Sequence, residues 1–179
     1  SVNKTSIVQI GSTREIDGIT YILDGWYPEN ETGGAYKDQK ITNWNYTPNA
    51  TELADGTVNF YAHYTPLYTS VNIKKLVTGN MGDKNKPFRF TVSVVNGNTN
   101  LPFKIDETQY TGSTKITLSD NQTRKLTQVP VGATVTITED DYSGSRYTTS
   151  CTIDGSASAG DRIATISNIQ QLNNDTAHE

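Results

Sequence analysis

Apolar and polar residues alternate with a period of two along most of this chain, and Gly, Pro, Asn or Asp breaks the alternation at short intervals. No segment sustains a helical period over roughly three turns. Val58, Phe60, Ala62 and Tyr64 fall on one face of a strand, with Asn59, Tyr61 and His63 on the other. Earlier strand signals lie at 5–10, 19–23 and 25–27, and 51–54 reads as a short helical turn. Pro66 has no amide hydrogen to continue a ladder, so the boundary is expected beside it. Strands are then expected near 71–77, 88–95, 103–105, 114–118, 124–129, 133–139, 147–153 and 162–169. Turn chemistry such as Thr78-Gly79-Asn80, Asn96-Gly97-Asn98 and Pro130-Val131-Gly132 joins them. The expected fold class is all-β: a small β-rich module over 1–67, a β-sandwich over 68–174, and a tail or linker at 175–179.

Three of these strands carry a polar residue in the apolar phase. Lys75 follows Val71 and Ile73, Glu139 follows Val135 and Ile137, and Asn168 follows Ala164 and Ile166. One such group buried without a partner costs several kcal/mol, so three are expected to meet. Burial disfavours the charged forms of an amine and a carboxyl alike. A neutral Lys75 amine is a nucleophile, and a protonated Glu139 could donate to the Asn168 side-chain carbonyl, polarising it for attack and shuttling protons. Ammonia would leave and an amide would join the first strand to the last. Lys74 would then point outward, since the opposite phase would bury Asn72 and expose Ile73.

The residues around these positions are similar to a known family. Val71-Asn72-Ile73-Lys74-Lys75-Leu76-Val77-Thr78-Gly79, Pro87-Phe88-Arg89-Phe90-Thr91-Val92, Val131 to Glu139, and Ile166-Ser167-Asn168 resemble Gram-positive pilin and adhesin domains of the CnaB-like, isopeptide-forming type. The resemblance implies an immunoglobulin-like sandwich with Lys75 and Asn168 as the cross-linked pair and Glu139 as catalytic residue. In the first module, Leu23-Asp24-Gly25-Trp26-Tyr27 and Ala54-Asp55-Gly56-Thr57-Val58-Asn59-Phe60-Tyr61-Ala62-His63-Tyr64 resemble bacterial surface repeats of the Flg_new or internalin B-repeat type. That likeness implies a small β-grasp-like stalk unit without chemistry of its own.

Composition narrows the function. A net charge of −4 argues against a nucleic-acid partner, and no apolar run approaches the roughly 20 residues of a membrane span. With 27 Thr, 10 Tyr and one Cys, the chain reads as an extracellular β protein without a disulfide framework. Cys151 is expected in the core, and His63 and His178 have no neighbours in sequence that would make a metal site; no cofactor is implied. Trp26 is expected in the core of the first module, and Trp44 with Tyr46 is read as core rather than sugar-stacking surface. The expected function is a non-enzymatic stalk segment of a surface adhesin or pilin, its cell-wall anchor lying in a segment outside this chain. Its partners would be neighbouring domains of the same surface protein. The rival is a module that binds a carbohydrate or host protein.

Overall fold

The computed structural model describes residues 11–29, 39–42, 47–48, 52, 54, 56–157, 161–172 and 177–179. The strand signal at 5–10 and the aromatic pair Trp44 and Tyr46 lie outside them. The chain divides into two compact units, one of residues 1–15 and 21–66, the other of residues 16–20 and 67–179.

The first unit carries a three-stranded sheet in the order β1 (Thr13–Ile16), β2 (Ile19–Pro28), β3 (Phe60–Pro66). β2 and β3 run antiparallel, with a bulge between Leu23 and Gly25 that breaks the simple alternation. Trp26 is half-buried rather than enclosed, while the next residue, Tyr27, is buried. Asp24, on the bulge, accepts hydrogen bonds from Tyr27 and, at 2.9 Å, from Lys40. Those two bonds and the Lys40 charge outweigh burial and hold the Asp24 carboxyl below its ordinary value. Glu52 and Ala54 are helical, within the turn expected at 51–54.

The second unit is an antiparallel sandwich. One sheet has the order β4 (Tyr68–Lys74), β10 (Thr123–Pro130), β7 (Pro102–Ile105), β8 (Thr108–Thr111). The other has the order β14 (Ile163–Ile166), β11 (Thr134–Glu139), β5 (Phe88–Asn96), β6 (Thr99–Asn100), with β9 (Ser113–Leu118) also paired to β5. A separate hairpin joins β12 (Thr152–Ile153) and β13 (Ser156–Ala157). The core lies between the facing sheets: Val71, Ile73, Phe103, Leu126 and Val129 from one, and Phe88, Val92, Val94, Leu118 and Val135 from the other, are all buried. Alternation along β4 and β5 places these residues inward.

Gly112 is the corner at which the chain leaves the first sheet after β8 and enters the second at β9. Its φ is +73°, and a Cβ there would lie 2.6 Å from Asn100 Cγ. A left-handed backbone costs a non-glycine residue about 1–2 kcal/mol before that overlap is counted. Gly112→Ala is therefore expected to lower stability by about 1–3 kcal/mol in urea unfolding. A change under about 0.5 kcal/mol would mean that Asn100 gives way freely.

Two expectations change here. The strand expected at 147–153 is confined to Thr152–Ile153, because Tyr147 follows a 3-10 turn (Ser143–Ser145) and its ring packs edge-on against Phe88, 5.2 Å between centroids. Of the tail or linker expected at 175–179, the described residues 177–179 are held against the second unit. His178 is 5% exposed and forms a parallel bridge to Val71, donating its N–H to Ser70 and accepting from Asn72.

Candidate functional site

The site is built at one end of the sandwich. Thr69, Val71 and Ile73 are the buried positions of β4, and Lys75 continues their phase just past its end while Lys74 is exposed. The backbone of Lys75 is held by the turn before β10: its N–H donates to Gln122, and its carbonyl accepts from Asn121. On the facing sheet, Glu139 closes β11 opposite Phe90 of β5, and its N–H donates to the Arg162 carbonyl.

The two inward phases converge. Lys75 Nζ lies 2.6 Å from Glu139 Oε1, with side chains 14% and 4% exposed. Glu139 Oε1 is buried, and Lys75 is its one polar partner among the described residues. Such an oxygen, buried and held against an amine, is placed to take a proton from Nζ and return it elsewhere. Lys75 Nζ also lies 4.3 Å from the centre of the Phe88 ring, a cation–π distance. Tyr142 and Tyr147 meet Phe88 edge-on, and Lys86 Nζ stands 5.0 Å from the Tyr142 ring and 5.4 Å from the Tyr147 ring. Phe88 thus lies against the Lys75 amine, with the two tyrosine rings packed behind it. Phe88 stood in a recognisable motif, but nothing in its spacing announced contact with Lys75.

Asn168 is not brought to this pair. β14 runs antiparallel to β11, pairing Thr138 with Ile163 and Val135 with Ile166. Each residue forward along β14 therefore moves away from Glu139. By Asn168 the chain has reached the opposite end, where Ile169 donates to Ala133 and accepts from Gly132. Glu139 lies six residues along the strand from Ala133, about 20 Å at the usual rise. Asn168 is exposed, in a left-handed turn with φ +51°, and accepts from the Gln170 side chain at both its backbone and side-chain oxygens.

The remaining candidates resolve simply. Cys151 is half-buried and donates its thiol to the Ile163 carbonyl at 3.5 Å. His63 faces Asp24 at 3.6 Å. Among the described residues no three metal-ligating side chains cluster. His178, read from sequence as having no neighbour, meets Asp154 and the Gln170 carbonyl.

The fold and site thus define an all-β chain whose second unit is an antiparallel sandwich with an amine–carboxyl pair buried between its sheets. A family described as a domain of unknown function (DUF7601) matches residues 69–170, more than half of the chain, and the chain belongs to that family. It is 30% identical over 125 residues to the pilin of Streptococcus pyogenes serotype M1, a match covering 60% of this chain. The chain spans about a third of that relative's length, 36%. Among solved structures, the major pilin from Streptococcus pyogenes is similar at 19% identity and a TM-score of 0.46, over 96% of this chain and 63% of that one. The pilus-presented adhesin Spy0125 (Cpa) is similar at 22% identity and a TM-score of 0.48, over 63% and 27%. No helix among the described residues is long and apolar enough to cross a membrane.

Proposed function

We propose that this chain is a stalk segment of a Gram-positive surface pilin or pilus adhesin, acting extracellularly and mechanically rather than as an enzyme. Its sandwich is a self-cross-linking module, with Lys75 as the nucleophilic amine and Glu139 as the proton carrier. The observation that carries this reading is the 2.6 Å approach of Lys75 Nζ to a buried Glu139 carboxylate across two sheets. Similarity to a pilin supports the setting. The first unit is a stalk repeat in the same reading.

In the reaction, Nζ attacks the side-chain carbon of an asparagine, a new C–N bond forms, and the bond to the amide nitrogen breaks. Glu139 takes the proton released by Nζ and delivers it to the departing nitrogen, which leaves as ammonia. Asn168 lies at the wrong end of β11 to be the acceptor. The acceptor belongs instead on a strand laid along β4, an edge strand whose side past Asn72 leads to Lys75. In the parallel register that pairs Val71 with His178, the residue opposite Lys75 is the third beyond Glu179.

Intact mass tests this directly. The 179-residue chain is expected to keep its full mass. The same chain extended by a strand-forming tail with asparagine at that third position should lose about 17 Da, one ammonia, and Lys75→Ala should abolish the loss. A full mass in the folded, extended protein would overturn the reading. A 17 Da loss from the unextended chain, mapped to Lys75 and Asn168, would restore Asn168 as acceptor.

A second reading rests on an open cleft in the first unit lined by Gly11, Arg14, Trp26, Ala62 and Tyr64, where the Arg14 guanidinium lies 5.4 Å from the Tyr64 ring centre. Aromatic and guanidinium faces suit a sugar or a host-protein side chain. Dose-dependent glycan binding by the full chain, abolished by Trp26→Ala, would favour that reading over a purely structural one.

A further inference from the structure

β4 ends its sheet, and an exposed sheet edge invites any passing strand. Among the described residues, the Gln171 side chain reaches this edge at the Tyr68 carbonyl, and His178 pairs with it through its backbone. Its backbone makes two ladder bonds to β4, N–H to Ser70 at 3.0 Å and carbonyl from Asn72 at 2.6 Å. Its ring is buried, with Nδ1 2.7 Å from Asp154 Oδ2 and Nε2 2.8 Å from the Gln170 carbonyl. Asp154 is bound twice more to the same segment: its Oδ1 accepts from the Glu179 N–H, and its own N–H donates to the Glu179 carbonyl.

Both ring nitrogens therefore face oxygens that can only accept. A neutral imidazole has one N–H and can satisfy one of them; the doubly protonated ring satisfies both. Among the described residues, the charged groups beside the ring are Asp154, on the β12–β13 turn, and the adjoining Glu179. β4 contributes Ser70, Val71 and Asn72, and the segment after β14 contributes the neutral Gln170.

We propose that Asp154, His178 and the Gln170 carbonyl form a protonation-dependent clasp that docks the closing segment of this chain, residues 177–179, on the edge of β4 in a single parallel register. Burial by itself raises the Asp154 carboxyl, but the hydrogen bonds from His178 and the Glu179 N–H, with the His178 charge, hold it below its ordinary value. The clasp is complete while Asp154 is ionised, and it opens in acid as the Asp154 carboxyl is neutralised. Whatever follows residue 179 is aimed along β4 only while the clasp is closed. The clasp stands on its own geometry, whether or not Lys75 forms a cross-link.

Amide exchange in the full, isotopically labelled chain tests it, with intrinsic exchange rates divided out. Protection of the Asn72 and His178 amides should fall about tenfold or more as pH is lowered and Asp154 is protonated, while the β5 core amide of Val92 stays constant. His178→Gln, which keeps one donor without a charge, should give low protection with no pH dependence. Asp154→Asn should flatten the profile as well. Equal protection across the pH range in the parent chain would overturn the clasp, as would parental profiles in both variants.

Discussion

Truncating Glu139 to alanine is expected to cost about 3–5 kcal/mol of stability, a large part of what holds a domain of this size together. The reason is asymmetric. Glu139 is almost fully buried and Lys75 nearly so, and removing the carboxylate leaves an amine beneath Phe88 with no counter-charge. Lys75→Ala should be similarly damaging, since Glu139 Oε1 is buried and would then lack its ion pair. Replacing both, as Lys75→Met with Glu139→Leu, should return the protein to within about 1–2 kcal/mol of its starting stability, because an apolar pair of similar volume has nothing to desolvate. Urea unfolding of the four proteins gives the coupling energy as a double-mutant cycle. Single losses under about 1 kcal/mol would mean that the pair is solvated, and the case for a buried reactive pair would fall with it. A pair that natural apolar residues could replace without loss is retained for what it does, which is why this cycle bears on function as well as on stability.

That pair was legible in the sequence because period-two alternation reports the face of a strand without knowledge of its neighbours. Val71, Ile73 and Lys75 share a face by counting alone, as do Val135, Ile137 and Glu139. Asn168 shows what alternation leaves out. Its phase follows Ala164 and Ile166, but phase carries no information on which end of a sheet a residue reaches. That depends on the antiparallel pairing of β14 with β11, a long-range fact. The same limit hid His178, which lies in no periodic run and is buried only through distant partners on β4 and at Asp154. The alternation of its neighbours predicts Tyr147 as the start of a strand. In the fold its ring is used to cover Phe88, and aromatic packing prevails over weak strand propensity.

Phe88→Ala is expected to cost about 3–5 kcal/mol, the range for deleting a large aromatic side chain from a packed core. Phe88 is 1% exposed and stands at the junction of three structures: the β5 ladder, the Tyr142 and Tyr147 rings, and the Lys75 amine. The cavity cannot close easily, because both tyrosine hydroxyls are tied to backbone, accepting from Arg89 and Asp83 respectively. Phe88→Leu fills most of the volume and should cost less, about 1–1.5 kcal/mol, mainly the lost edge-on and cation–π contacts. Stability alone does not separate a core residue from a cover over the amine, so the second readout is chemical. Lys75 should acylate slowly in the parent chain and several-fold faster in Phe88→Leu, measured by peptide mass mapping against exposed Lys74. If Phe88→Leu loses stability while Lys75 labels at the parental rate, the ring is packing and nothing more. If labelling rises while the fold holds, Phe88 is the residue that keeps water and competing electrophiles from the amine until its own acceptor arrives.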